Sequence, residues 1–327
     1  MQEKLALAIT GAVKVSLDES ESESFIKRST DNVEAYELFL KAIKGLETYS
    51  LETSTGFLKD VIKLDPEFSY AYSMLSFIEM LKGDIESGRK HAERALEFNE
   101  KDTLAYMALA RSHLSNQEYD AAEEMFKRGR YYSNDSGMIK FYATYLRNHG
   151  RYNEALSDLK QALKVDPFSI QLYAYIIAVC NNLGKYEEAK AYFEKANTIF
   201  PDNQYIHMHL ARLYNRTGEH EKAVDIFSRF DEPYRLGITY AIMGNHEKAR
   251  EYIELTISNE APDNILVFKA IMRAWIGETE ESLDILEQVY EQNRTVLNNL
   301  KCDFEFDPLR EEPRFKALMK KMGLPED

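Results

Sequence analysis

Between residues 150 and 201 the apolar positions form a pattern that is then repeated. Gly150, Tyr152, Ala155, Leu159, Ala162 and Pro167 are followed 34 positions later by Gly184, Tyr186, Ala189, Phe193, Ala196 and Pro201. Within each block the apolar residues step by three and four, which puts them on one face of a helix. Gly suits a left-handed residue that closes the preceding helix. Pro stops the next helix, because it lacks a backbone donor and crowds the turn before it. The spacing therefore predicts two helices joined near the Gly. One such pair cannot bury its apolar stripe alone, so the pattern implies a stack of pairs around a shared core.

Anchored on that loop position, the pattern recurs at Tyr49, Gly83, Gln117, Gly150, Gly184, Gly218, Gly244 and Gly277, in steps of 34, 34, 33, 34, 34, 26 and 33. About eight helical hairpins are expected over residues 32–293. The short step predicts trimmed helices and a break in the stack around residues 231–235. Ahead of the array, Leu5, Ile9, Ala12, Val13 and Leu17 share a helical face, which predicts an amphipathic helix over residues 1–17. Residues 18–24 are a polar, acidic run of Asp, Glu and Ser, and residues 18–31 read as a linker. Residues 294–327 are expected to form a turn and a capping helix. Pro313 would stand at its start, Gly323 at its end, and Phe315, Leu318, Met319 and Met322 along its buried face.

This period and pattern are those of the tetratricopeptide repeat (TPR), which the chain closely resembles. The resemblance implies an all-α fold, a right-handed TPR superhelix of about eight hairpins with a C-terminal capping helix. A further similarity lies in the order of phrases: Asp31-Asn-Val-Glu-Ala-Tyr36, Ile62-Lys-Leu-Asp-Pro66, Phe306-Asp-Pro-Leu-Arg310, Pro313-Arg-Phe315 and Gly323-Leu-Pro325. That order resembles the TPR-bearing C-terminal regions of bacterial class III adenylate cyclases and related signalling proteins and transcriptional regulators. No stretch matches a cyclase catalytic domain, so the similarity is to a regulatory tail alone.

Composition narrows the function. A formal charge of -14 and a pI near 5.1 argue against general attraction to nucleic acid or to an anionic membrane. Two cysteines, Cys180 and Cys302, make no disulfide framework and point to a reducing compartment. No apolar run of membrane-spanning length and no signal peptide is read, so a cytoplasmic protein is expected. Nucleotide loops, zinc-protease helices and paired C-x-x-C motifs are all missing. The chain is read as a non-enzyme that needs no cofactor or metal. His207 and His209 are two apart and do not share a helix face. His207 falls on a core position, while His220 and His246 take the post-Gly aromatic position and are expected to be partly buried. Cys180 and Trp275 are assigned to packing.

Binding information is expected on the concave groove lined by the first helix of each pair. The groove positions of the middle repeats hold Arg111, Lys140, Arg147, Asn148, Asn181, Asn182, Arg212, Asn215 and Arg216, with no carboxylate among them. Toward the N-terminus the same positions become apolar, with Phe77, Met80, Leu104 and Met107. A cationic lining beside an aromatic and Met-rich one suits an acidic or amphipathic protein segment. The clamp that grips chaperone C-termini is incomplete, since Lys140 is followed by Thr144 and not by Asn. The expected function is a protein-interaction scaffold or regulatory module. The alternative is a ligand-sensing tail of a signalling protein.

Overall fold

The computed structural model describes residues 30–48, 51–133, 136–255 and 262–324. Among them sixteen α-helices pair in chain order into eight hairpins: α1 (Val33–Thr48) with α2 (Leu51–Leu64), α3 (Ser69–Leu81) with α4 (Ile85–Phe98), α5 (Thr103–Ser115) with α6 (Tyr119–Tyr132), and α7 (Ser136–Asn148) with α8 (Tyr152–Val165). The series continues with α9 (Ile170–Asn182) and α10 (Tyr186–Ile199), α11 (Gln204–Thr217) and α12 (His220–Arg229), α13 (Pro233–Ile242) and α14 (His246–Glu254), and α15 (Asp263–Trp275) and α16 (Thr279–Asn293). Two 3-10 turns, Arg294–Leu297 and Phe304–Leu309, lead to α17 (Pro313–Lys321). No strand occurs among the described residues. The N-terminal helix expected over residues 1–17, most of the linker and the loop at Tyr49 lie outside them.

The remaining seven loop anchors all have a left-handed φ, from 62° at Gln117 to 89° at Gly83. The turn residue after the first helix allows the chain to reverse, and the second helix then lies on its partner through small side chains. Ala155, Ala189 and Ala223 are completely buried, and Leu159, Phe193 and Phe227 fill the next layer. Ion pairs join neighbouring hairpins at similar offsets, as in Lys160 with Glu188, Lys190 with Glu219 and Arg250 with Glu278. All are partly exposed, so each contributes at most about 1 kcal/mol. The buried apolar seam supplies most of the stacking energy.

The chain forms two compact units, Met1–Tyr142 and Ala143–Asp327, divided within α7. In the first, Phe39, Leu58, Phe68, Leu75 and Ile78 form one core cluster, and Met80 joins Ala92, Ala95 and Ala105 in another. Asp102 is wholly buried and accepts hydrogen bonds from Ser69 Oγ at 2.6 Å, Ser73 Oγ at 2.8 Å and the Ala105 N–H at 3.2 Å. It thereby caps α5 and ties it to α3.

In the second unit, α17 buries Phe315, Leu318 and Met319 in a cluster with Leu283, Leu286 and Val289 of α16. The helices on either side of Pro233 are short, at 10 residues each. The expected break does not divide the molecule there, since the unit is compact through Pro233. Asn215 of α11 donates to Thr239 Oγ1 of α13 at 2.9 Å, and a segment from beyond α16 bonds both helices.

Candidate functional site

That segment, residues 302–307, lies along the lining formed by the first helices of the second unit. Asn182 of α9 donates to the Cys302 carbonyl, and the Cys302 thiol donates to Asn148 Oδ1 of α7 at 3.4 Å. Arg212 of α11 pairs with Asp303 at 2.5 Å and Glu305 at 3.1 Å. Arg235 of α13 donates to both oxygens of Glu305 at 3.0 Å. Arg216 of α11 pairs with Asp307 and stands 5.2 Å from the centre of the Phe304 ring. The Trp275 indole N–H, at the end of α15, donates to the Glu305 carbonyl at 2.8 Å.

Local chemistry explains the shape of this segment. Asp303 accepts from the Glu305 N–H at 3.1 Å and so caps the 3-10 turn, whose later Pro308 has no N–H to satisfy. Arg310 closes the turn by donating to the carbonyls of Leu300 at 2.9 Å and Asp303 at 2.8 Å. Glu305 is only 1% exposed, which two guanidiniums make tolerable for a carboxylate. Phe306 and Leu309 point the other way, into the core that holds Phe315.

Electrostatics follows from this crowding. Burial alone would raise the Asp303 carboxyl, but Arg212, Arg235, the Glu305 N–H and Arg147 outweigh it and hold it below its ordinary range. Burial would likewise lower the Arg212 guanidinium, yet Asp303 and Glu305 hold it firmly charged. His209, on α11 among these groups, is pushed down to about 3 by burial and then by Arg212, Arg147 and Arg235. Its imidazole is therefore neutral at pH 7. Burial also raises the Cys302 thiol, and pushes Cys180 up to about 12.

The structure sorts the residues singled out from sequence into three groups. Asn148, Asn182, Arg212 and Arg216 converge on residues 302–307, so these two Arg residues already hold carboxylates of their own chain. Arg147 has no carboxylate within ion-pair distance among the described residues, and its buried Nε has no hydrogen-bond partner. Asn181 Oδ1 is also buried without one. In the first unit Arg111 has no ion pair among the described residues, and burial lowers its pKa. The remaining residues serve packing. Asn215 is 4% exposed and bonds inward to Thr239. Lys140 is buried and has a partner.

Phe77, Met80 and Met107 are at least nine-tenths buried, which corrects the expectation of an open apolar lining. Their helices pack closely enough to consume these side chains: a Cβ at Gly88 would come within 2.6 Å of Met80 Cγ. Leu104 stays partly exposed against the first core cluster. His207 packs edge-on to Phe193 at 5.1 Å, as a core residue should. His220 is partly buried, but His246 is exposed, because it opens the shortest hairpin, of 10 and 9 residues. No group of His, Cys, Asp or Glu that could hold a metal occurs among the described residues, nor any helix long and apolar enough to cross a membrane.

Asp303, Glu305, Asp307 and Arg235 are the site residues that sequence reasoning missed. The signal for the three acids was the alternation of acid and aromatic in residues 303–307, opposite in charge to the predicted lining.

Comparison with known proteins bears on the fold. Three family profiles, each described as a tetratricopeptide repeat, match residues 81–135 and 143–203, residues 182–235, and residues 234–260. The TPR repeat-containing protein YpiA of Bacillus subtilis (strain 168) is 26% identical over 145 residues, which are 44% of this chain and 34% of that protein. The match thus spans about a third of the relative's length. Among solved structures, the APC/C hetero-tetramer Cut9-Hcn1 superposes with a TM-score of 0.55 at 12% identity, covering 93% of this chain and 58% of that one. The human IFIT1 dimer with PPP-AAAA gives 0.49 at 16% identity, covering 74% and 68%. The 34-residue period, the hairpins turning on left-handed residues and profile matches over more than half of the 327 residues agree: the chain belongs to the tetratricopeptide-repeat family.

Proposed function

We propose that the protein is a protein-interaction scaffold whose first-helix linings receive an acidic or amphipathic segment of a partner. One observation carries this reading: in the second unit the lining already holds an acidic, aromatic segment of its own chain on Asn148, Asn182, Arg212 and Arg216. The chemistry suited to such a segment is therefore built into these helices. Arg147 in this unit and Arg111 in the other retain uncommitted guanidiniums, and each would pair with a partner carboxylate more strongly than a surface cation because water is partly excluded there.

The test is a pull-down or peptide array with wild type, Arg111→Glu and Arg147→Glu. Acidic partners of the wild type should be lost from at least one variant. Partners kept in full by both would overturn the reading. Changing Arg212 or Arg216 is uninformative here, since it would strip buried or half-buried carboxylates of their counter-charge.

A further inference from the structure

A solenoid repeat ordinarily touches only its neighbours. Residues 302–307 break that rule by bonding the first helices of five successive hairpins, α7, α9, α11, α13 and α15. They do so mainly with side chains, and with the residue types that the lining would ask of a partner: carboxylates at 303, 305 and 307 and an aromatic ring at 304 beside Arg216, while Phe306 faces the core.

The charges do not balance. Arg147, Arg212, Arg216 and Arg235 face Asp303, Glu305 and Asp307, and Arg310 also shares Asp307. Arg147 adds to the field at Asp303 without pairing with it. The lining thus keeps a net attraction for a further carboxylate at its α7 end, even with the segment in place. An incoming acidic segment would supply the same pairs that the resident one makes, so exchange does not leave a guanidinium buried and alone, which is the costly outcome. The resident's advantage is then its anchor, Phe306 in the core, together with its effective concentration, on the order of millimolar for a tethered ligand.

We propose that residues 302–307 are a self-ligand of the second unit, and that a partner segment with an aromatic residue between its carboxylates enters this lining by exchange with it, beginning at Arg147. The proposal rests on the reading that the lining is the binding face. Exchange would also release the cross-link between hairpins, so occupancy by a partner would loosen the repeats from α7 to α15.

The chain carries two reporters. Trp275 is its one tryptophan and is bonded to the segment, and Cys302 is buried within it, whereas Cys180 is buried in the repeat core. The probe is a fluorescent peptide with the sequence of residues 301–310, serine replacing its cysteine, and a control peptide with amides in place of the acids. The acidic peptide should bind weakly to wild type and roughly fivefold more tightly to Asp307→Asn, in which the partly exposed Arg216 pair is weakened. Binding should red-shift Trp275 emission and open one thiol, Cys302, to labelling. Arg147→Gln should weaken binding by a similar factor while leaving the emission of the free protein unchanged.

Peptide bound with tryptophan and thiol signals unchanged would mean docking elsewhere and would overturn exchange. So would equal affinity for wild type and Asp307→Asn. If neither protein bound the peptide but its pulled-down partners still depended on Arg147, exchange would fall and the scaffold reading would stand.

Discussion

At Gln117 the backbone takes a left-handed φ of 62°, where six other turns place Gly. A side chain there costs roughly 1–2 kcal/mol, because Cβ crowds the carbonyl oxygen that follows. Gln117→Gly should therefore raise stability by up to about 1 kcal/mol, after allowing for the extra freedom Gly gives the unfolded chain. The reverse change, Gly184→Ala, places a Cβ in open space, so its cost of about 1 kcal/mol comes from backbone strain alone. Urea melts of both variants check the pair. A loss well beyond that at Gly184 would mean that its turn packs against something. Tyr49, at the equivalent position in the first repeat, lies outside the described residues.

For the acidic segment as an element, the decisive carboxylate is Glu305. Glu305→Gln removes the counter-charge of two partly buried guanidiniums, and the loss should reach about 3–5 kcal/mol, as for a buried pair stripped of one member. The pH dependence can be assigned by sign. His209 has its pKa lowered from 6.5 to about 3, so the unfolded chain binds a proton that the folded one refuses. The stability it permits is intact above pH 6.5 and is lost as pH falls toward 3. Asp303, held below its ordinary 3.8, contributes above that value and loses its contribution only under stronger acid. The urea midpoint of wild type should therefore drop between pH 7 and pH 4.5, and His209→Gln should drop less. Equal drops would show that the imidazole is not the group being titrated.

Across the second unit as a whole, the 26-residue step leaves α12 and α13 short, and nearest-neighbour stacking by itself would be weakest there. Glu305 bonds Arg212 before the step and Arg235 after it, which spans the weak point. Hydrogen exchange in wild type should consequently show similar protection on both sides of Pro233. In Glu305→Gln the two sides should separate into units of different stability. Separation already present in wild type would mean that the segment does not couple them.

The periodic residues Gly150, Tyr152, Ala155, Leu159 and Ala162, with their copies 34 positions on, were enough to place hairpins, turns and the short step. Each depends on residues within a few turns of one another, and helix faces, caps and left-handed turns are local in that sense. Repeat register also placed Asn148, Asn182, Arg212 and Arg216 on one face, and these four meet residues 302–307. Whether Phe77, Met80 and Met107 stood open or were consumed by packing was not legible, since burial depends on how closely two helices approach. Nor was the occupant of the lining. Cys302 meets Asn148 across 154 positions and Glu305 meets Arg212 across 93, distances over which no periodicity carries information. The acid and aromatic alternation of residues 303–307 announces what the segment can bind, but only the fold, by returning the chain along its own first helices, decided that it would bind there.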